Sequence, residues 1–231
     1  MDAALLDAVR SGDRKALSRA ITLIEKGASV GELDRHVPIV GITGPPGAGK
    51  STLISELIRV IRERGETVAV LAVDPSSPIT GGALLGDRIR MQSHVDDPGV
   101  YVRSMATRGH LGGLAEAAAG AVRLMGAAGF DRLLVETVGV GQSEVEIMGL
   151  ADLVVLVVGP SWGDHVQADK AGVVEIADVY VVNKGDRPGA EDVRRALREI
   201  ADVRNAHVLM TTATAGKGVA EVLAEVDRLI G

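Results

Sequence analysis

The sequence predicts an α/β fold in which a mostly parallel sheet is flanked by helices. Short apolar segments alternate with amphipathic helical segments from Pro38 to the end of the 231-residue chain. Hydrophobic residues make up 46% of the chain and aromatic residues only 2%, so the core must be aliphatic. Aliphatic strands that alternate with helices are typical of parallel sheets covered on both faces.

Residues 1–36 predict an N-terminal helical extension, followed by one α/β domain over residues 37–231. The second of two helices in the extension has an apolar stripe from Leu17 to Ile24, with Asp13 as a candidate N-cap. We expect this stripe to pack on the main domain.

Seven apolar segments of strand length follow, at 39–43, 67–73, 99–103, 132–136, 153–158, 179–183 and 207–211. Helical patterns lie between and after them, at 51–64, 114–128, 166–176, 190–200 and 219–230, with a short helix expected within 81–94. Right-handed crossovers would bring every strand C-terminus to one edge of the sheet, where ligands bind in such folds.

Composition disfavours several classes of function. The formal net charge of −6 is opposite to that of a typical nucleic-acid binder. The chain has no cysteine, so it has no disulfides and no thiolate metal site. We find no secretory signal and no apolar run near the length of about 18 residues that spans a bilayer, and so expect no membrane contact and a cytoplasmic location.

A phosphate-binding loop is the strongest motif in the chain. The residues after the first strand match G-x-x-x-x-G-K-[ST] at every fixed position: Gly44, Pro45, Pro46, Gly47, Ala48, Gly49, Lys50 and Ser51, followed by Thr52. The loop predicts a P-loop NTPase fold, with backbone N–H groups and a helix N-terminus around the phosphates. We expect Lys50 to reach the β- and γ-phosphates and Ser51 to bind Mg²⁺.

A second motif predicts which base is bound. Asn183, Lys184 and Asp186 form an N-K-x-D element directly after an apolar strand. The carboxylate of Asp186 can accept hydrogen bonds from two N–H groups of guanine, which adenine does not offer in the same pattern, so GTP and GDP are the expected ligands. Thr212 and Ala213, after the last strand, are candidates for backbone contacts to the base.

Acidic residues at the same sheet edge are candidate metal ligands. Glu136 ends the fourth strand, where most GTPases have Asp, and Gly139 behind it offers an N–H to the γ-phosphate. Asp74 closes the second strand, and Asp87 lies in the loop that follows. The alternative for Asp87 is that it caps the short helix expected after it.

No side chain for orienting the attacking water is evident. Several GTPases have Gln immediately after the glycine at position 139, but this chain has Val140, and Gln142 is out of register. This predicts slow intrinsic hydrolysis that a partner accelerates. Lys170 lies in a loop-to-helix segment at the same edge and is either a surface lysine or a cation for the transferring phosphoryl group.

These motifs together resemble the MeaB/MMAA family of P-loop GTPases, also known as ArgK or LAO/AO-transport-type nucleotidases. The resemblance covers essentially the whole chain. It is most specific at 74–88 (DPSSPITGGALLGDR), 106–113 (ATRGHLGG) and 136–143 (ETVGVGQS). The family pattern also has Glu at position 136.

The resemblance implies a Mg²⁺-dependent GTPase chaperone that gates cofactor loading and protects an adenosylcobalamin-dependent acyl-CoA mutase. It implies a third switch that senses the mutase, around Asp164, Gln167 and Lys170, with Lys170 as the stimulating cation. The other implied roles are phosphate and metal binding by Lys50 and Ser51, metal and switch functions for Asp74, Asp87 and Glu136, and guanine reading by Asn183, Lys184 and Asp186.

Two alternatives and the oligomeric state stay open at this stage. The same P-loop would serve a kinase or ATPase acting on a small molecule or a transport protein. A nickel- or zinc-insertion GTPase is disfavoured by the lack of cysteine and of histidine-rich tracts. Family members continue beyond the last helix into a dimerisation arm, which the sequence ending at Gly231 does not include, so we leave the homodimer open.

Overall fold

A computed structural model describes residues 1–31, 33, 37–75, 94, 96–107, 111–137, 142–165 and 171–231. Within these ranges it describes no side chains at 74, 75, 106, 107, 111–113, 142–144, 163–165 and 171–173.

The chain begins with two capped helices. Helix α1 (Ala3–Arg10) follows Asp2, whose side chain accepts a hydrogen bond from the backbone of Ala4. Helix α2 (Arg14–Glu25) follows Asp13, which accepts from two backbone N–H groups of its first turn, as the sequence predicts for an N-cap. The apolar face of α2 packs on helix α4 (Leu111–Ala127) and shares one buried cluster with it and with the sheet.

Seven strands in the described residues form one parallel sheet in the order β3-β2-β4-β1-β5-β6-β7. The strands are β1 (Ile39–Thr43), β2 (Val68–Pro75), β3 (Val100–Thr107), β4 (Arg132–Thr137), β5 (Leu153–Val158), β6 (Val179–Val182) and β7 (His207–Met210). Because every pairing is parallel, the carboxyl ends of all seven strands lie at the same edge. The predicted fold class is confirmed.

Helices cover both faces of the sheet. Alternation along β5 shows this: Val155 and Val157 pack with α3 (Lys50–Glu63) and α8 (Val219–Ile230), whereas Leu156 and Val158 pack with α7 (Ala190–Arg204). Helices α4 and α5 (Gln142–Met148) contribute to the cluster that also contains the N-terminal helices. Helix α6 (Ala171–Ile176) lies between β5 and β6 in the chain. None of the described helices has the length and apolar character needed to cross a bilayer.

Among other small differences in element bounds, three elements differ from prediction in ways that have a physical reason. Strand β3 continues beyond its predicted end at Arg103 to Thr107, because it pairs with β2 over eight residues. Thr22 and Glu25 of α2 also bind the Arg103 guanidinium. Helix α7 runs four residues beyond its predicted end, to a cap at Asn205 with φ 53°. Helix α5 was not predicted, since seven residues are too few to show a clear helical period.

Candidate nucleotide-binding site

The predicted phosphate loop connects β1 to α3 at the carboxyl edge of the sheet. Gly44 has φ 144°, and a Cβ built on it would lie 1.9 Å from the carbonyl oxygen of Val157. Gly49 has φ 96°, and its Cβ would lie 2.3 Å from Nδ2 of Asn183. Both positions therefore require glycine, because backbone and a neighbouring loop approach too closely for any side chain.

Lys50 lies inside this loop. Its side chain is 6% exposed, and its Nζ donates to the carbonyl oxygens of Gly44 at 2.8 Å and Pro45 at 3.1 Å. The ammonium thus lies beside the loop backbone at the N-terminus of α3, where the helix dipole also favours an anion. Thr52 follows in the first turn of α3. This arrangement fits a bound polyphosphate.

Ser51 and Glu136 meet beneath the loop. The hydroxyl of Ser51 donates to Oε1 of Glu136 at 2.8 Å, and the two residues are 4% and 2% exposed. Beside them, Thr137 donates to the hydroxyl oxygen of Thr43 at 3.1 Å. A hydroxyl and a carboxylate are hard oxygen ligands of the kind that Mg²⁺ prefers, so the pair fits the predicted metal. No group of three or more His, Asp or Glu suited to a metal occurs in the part of the chain that the structure describes.

Asn183 joins the phosphate loop to the loop after β7. Its Nδ2 donates to the carbonyl oxygen of Ala48 at 3.0 Å and approaches that of Gly49 at 3.4 Å. Its Oδ1 accepts from the hydroxyl of Thr211 at 3.0 Å and from the backbone N–H of Ala213 at 3.1 Å. The side chain, 2% exposed, therefore fixes the relative position of three loops.

Lys184 and Asp186 follow Asn183 in the same loop. Lys184 has φ 58°, and its Nζ donates to the carbonyl oxygen of Gly47 at 2.6 Å, so its stem spans from the base-reader loop to the phosphate loop. We use "base-reader loop" for residues 183–186. Gly185 donates to the carbonyl oxygen of Thr211 at 2.9 Å, and Asp186 is exposed. An exposed carboxylate next to such a bridge is accessible to a base.

Residues 212–217 form a closed turn at the end of β7. Thr212 and Lys217 exchange backbone hydrogen bonds of 3.0 and 3.3 Å around a short 3₁₀ helix (Ala213–Ala215). Ala213 is buried, and its N–H donates to Asn183. The predicted contacts of Thr212 and Ala213 with the base stay a prediction.

The structure thus brings together all predicted site residues whose side chains it describes, along the ends of β1, β4, β6 and β7. Sequence reasoning missed Thr211, the hydroxyl partner of Asn183, because a threonine at a strand end carries no motif. Six other predictions cannot be placed. Asp87, Gly139, Gln167 and Lys170 lie outside the described residues, as do the side chains of Asp74 and Asp164.

The chain is similar to known proteins over most of its length. The model of the family described as "Methylmalonyl Co-A mutase-associated GTPase MeaB" matches residues 17–230. A putative GTPase of Pyrococcus horikoshii is 50% identical over 235 residues, which cover 94% of this chain and 74% of the relative. The chain is also 40% identical over 212 residues to a fused isobutyryl-CoA mutase of Geobacillus kaustophilus, covering 84% of this chain and 19% of that protein.

A solved structure supports the same assignment. The crystal structure of a LAO/AO transport system kinase matches with a TM-score of 0.72 and 25% identity, covering 99% of this chain and 76% of the other. The family match spans both the phosphate loop and the base-reader loop, and its members are P-loop GTPases. The chain belongs to the MeaB family of methylmalonyl-CoA mutase-associated GTPases.

Proposed function

We propose that this GTPase is a chaperone for an adenosylcobalamin-dependent acyl-CoA mutase of the methylmalonyl-CoA mutase type. In this proposal, Mg²⁺-dependent GTP binding and hydrolysis gate the loading of the cofactor and protect the loaded mutase. GTP is the substrate and GDP the product.

The observation that carries the nucleotide part is the bridge built by Asn183. One side chain holds the phosphate loop, through Ala48, against the turn that begins at Thr211. The phosphate site and the base site therefore form one unit, in which Asp186 selects guanine and Lys50 binds the phosphates.

The buried pair of Ser51 and Glu136 supports the metal part. Ser51 would bind Mg²⁺ directly, and Glu136 would hold its coordination shell, with Asp74 and Asp87 as further candidate ligands. Mg²⁺ held there would neutralise charge on the phosphate oxygens. Gly139 would donate its N–H to the γ-phosphate, and Asp164, Gln167 and Lys170 would form the partner-sensitive segment, with Lys170 as the activating cation.

The mutase part is supported by the family and by one relative. The family is described as mutase-associated, and the Geobacillus relative is named a fused isobutyryl-CoA mutase. The matching segment covers only 19% of that relative, so it is one part of a longer protein that carries the mutase name. This favours a mutase as the partner of the present chain.

Phosphate release tests the proposal. Purified protein is given GTP or ATP with Mg²⁺ and no acceptor, with and without candidate acyl-CoA mutases. We expect release from GTP, little from ATP, loss of release with a magnesium chelator, and acceleration by the cognate mutase. GTP hydrolysis that no mutase changes would remove the chaperone role while leaving the GTPase in place.

The alternative is a P-loop kinase or ATPase, which the name of the LAO/AO transport system kinase favours. A kinase would release little phosphate until an acceptor is supplied, and an ATPase would prefer ATP. The same assay therefore separates the two functions. Lys50→Ala should abolish phosphate release in either case, whereas Lys26→Ala, at an exposed lysine that follows α2, should not.

A further inference from the structure

Trp162 is the single tryptophan of the chain and belongs to none of the motifs of the nucleotide site. It is carried by a 3₁₀ helix (Pro160–His165) that follows β5 directly. Only 4% of the residue is exposed. The indole is therefore a buried packing group at the carboxyl edge of the sheet.

Trp162 belongs to an apolar cluster with residues of β6 and α7, the elements on either side of residues 183–189. Trp162 shares an apolar cluster with Tyr180 and Val182 of β6 and with Val193 and Leu197 of α7. The 3₁₀ helix also contacts α7 at its start. A Cβ built on Gly189, just before α7, would lie 3.6 Å from the carbonyl oxygen of Pro160. Trp162 therefore supports both ends of the loop that carries Asp186.

The phosphate loop has its own contacts with the end of β5 and with Asn183. The N–H of Asn183 donates to the carbonyl oxygen of Val158 at 2.8 Å. A Cβ on Gly159 would lie 3.9 Å from the Cα of Ala48, and the carbonyl of Val157 lies under Gly44. The phosphate loop is thus held by the end of β5, by Gly159 and by Asn183, which is itself bonded to Val158 of β5. These contacts are made by groups other than the indole.

From this division we infer that Trp162 is a positioning residue for guanine recognition. It fixes the end of β6 and the start of α7, so that the carboxylate of Asp186 is held where the base binds. The inference rests on the proposed function, since it presupposes that Asp186 reads guanine. It assigns the indole to base affinity and leaves phosphate affinity to the P-loop.

Truncation of the indole should separate these two affinities. Trp162→Ala leaves a cavity beside the start of α7 that loosens residues 185–189, while the backbone hydrogen bond from Asn183 to Val158 keeps Asn183 beside the phosphate loop. We expect the Kd of GDP to rise about tenfold and the Kd of inorganic pyrophosphate to change less than about twofold. Trp162→Phe, which keeps most of the packing, should return the Kd of GDP to within about threefold of the parent.

The experiment is calorimetry of the parent and variant chains with GDP, ADP and pyrophosphate in magnesium buffer. Phe130→Ala is the matched control: Phe130 is also a buried aromatic residue, but it packs with Tyr101 in the cluster of the N-terminal helices. It should lower the free energy of unfolding as Trp162→Ala does and leave both Kd values unchanged. Trp162→Leu, a smaller truncation, replaces the alanine variant if that variant does not fold.

The outcomes are distinguishable. Equal weakening of GDP and pyrophosphate, or no weakening of either, would overturn the positioning role of Trp162. A parent protein that binds GDP no more tightly than ADP would remove guanine selectivity, and with it both the proposed function and this inference. Selective loss of GDP affinity in Trp162→Ala, with recovery in Trp162→Phe, supports the role.

Discussion

At the scale of single residues, Asp186 and Asn183 differ in their surroundings. The Asn183 side chain is hydrogen-bonded to the phosphate loop and to Thr211 and Ala213, whereas Asp186 is exposed at the loop surface. Selectivity should therefore depend on the Asp186 carboxylate, and the stability of the loops on Asn183. The two roles can be tested separately.

Asp186→Asn should weaken GDP binding by about 100-fold, because an amide replaces one of two carboxylate acceptors with a donor. The same amide suits a base with an oxygen at position 2, so affinity for xanthosine diphosphate should rise. Calorimetry with both nucleotides measures the change. Asp202→Asn, at another exposed acid, is the control, and an unchanged preference in Asp186→Asn would contradict guanine reading by this residue.

Thr211→Val should weaken GDP binding by roughly fivefold, the equivalent of about 1 kcal/mol. The change removes the hydroxyl that donates to Oδ1 of Asn183 at 3.0 Å, in a position that is 2% exposed. Thr211→Ser keeps the hydroxyl and should bind GDP nearly as the parent does. If the serine and valine variants bind GDP equally, the hydroxyl has no part in holding the loops.

At the scale of elements, the contact between α2 and α4 decides whether the N-terminal helices are part of the domain. A Cβ built on Gly120 of α4 would lie 3.0 Å from Cγ2 of Ile24. The two helices thus approach closely through a small residue, and polar contacts of α2 with β3 add to the apolar ones. Arg14 donates to the carbonyl oxygen of Val100, and Ser18 lies 3.0 Å from the hydroxyl of Tyr101.

Gly120→Leu should force α2 away from α4 and lower the free energy of unfolding by about 1–3 kcal/mol, the usual cost of overpacking a core. Urea denaturation measures the change. Arg123→Leu, at an exposed position of the same helix, should have a much smaller effect. Equal stability of the two variants would mean that residues 1–36 contribute little to the fold.

The sequence correctly predicted the helices and strands that are determined by local patterns. The strands β1 and β5 and the helix α8 lie where apolar periodicity places them, and the phosphate loop lies between a strand and a helix as its motif requires. The continuation of β3 beyond Arg103 was not predictable, since Glu25, which binds Arg103, is 78 residues away. Nor was the hydrogen bond from Thr211 to Asn183, which depends on the order of the strands rather than on any motif.

At the scale of the whole molecule, charged residues connect elements at the edge of the sheet opposite the nucleotide site. Asp227 of α8 binds Arg64, which follows α3, at 2.6 Å, and it also binds Arg132 at the start of β4. Arg132 in turn binds Glu66, just before β2. This network joins α8 and α3 to the amino ends of two strands, whereas the nucleotide site joins loops at the carboxyl ends.

The network predicts how the stability of the fold depends on pH. Partial burial opposes ionisation of Asp227, but hydrogen bonds from Arg64 and Arg132 outweigh it and hold the pKa of this carboxyl below its usual value. A carboxyl whose pKa is lower in the folded state stabilises the fold above its unfolded pKa of about 4 and loses that contribution as the pH falls through the folded pKa. Stability should therefore decline on acidification, in part through Asp227.

The variant Asp227→Asn measures how much the Asp227 carboxylate contributes to the stability of the fold. The side chain is 31% exposed, so solvent screening limits the expected loss to about 1 kcal/mol at pH 7. Because the parent loses the same contribution on protonation, the difference between parent and variant should shrink as the pH falls from about 4 towards about 2. Urea unfolding at several pH values measures it. The control is Asp192→Asn, since the Asp192 side chain is 80% exposed in its ion pair, and its stability should differ little from that of the parent at any pH. A loss of stability in Asp227→Asn that stays constant with pH would assign the effect to packing instead of charge.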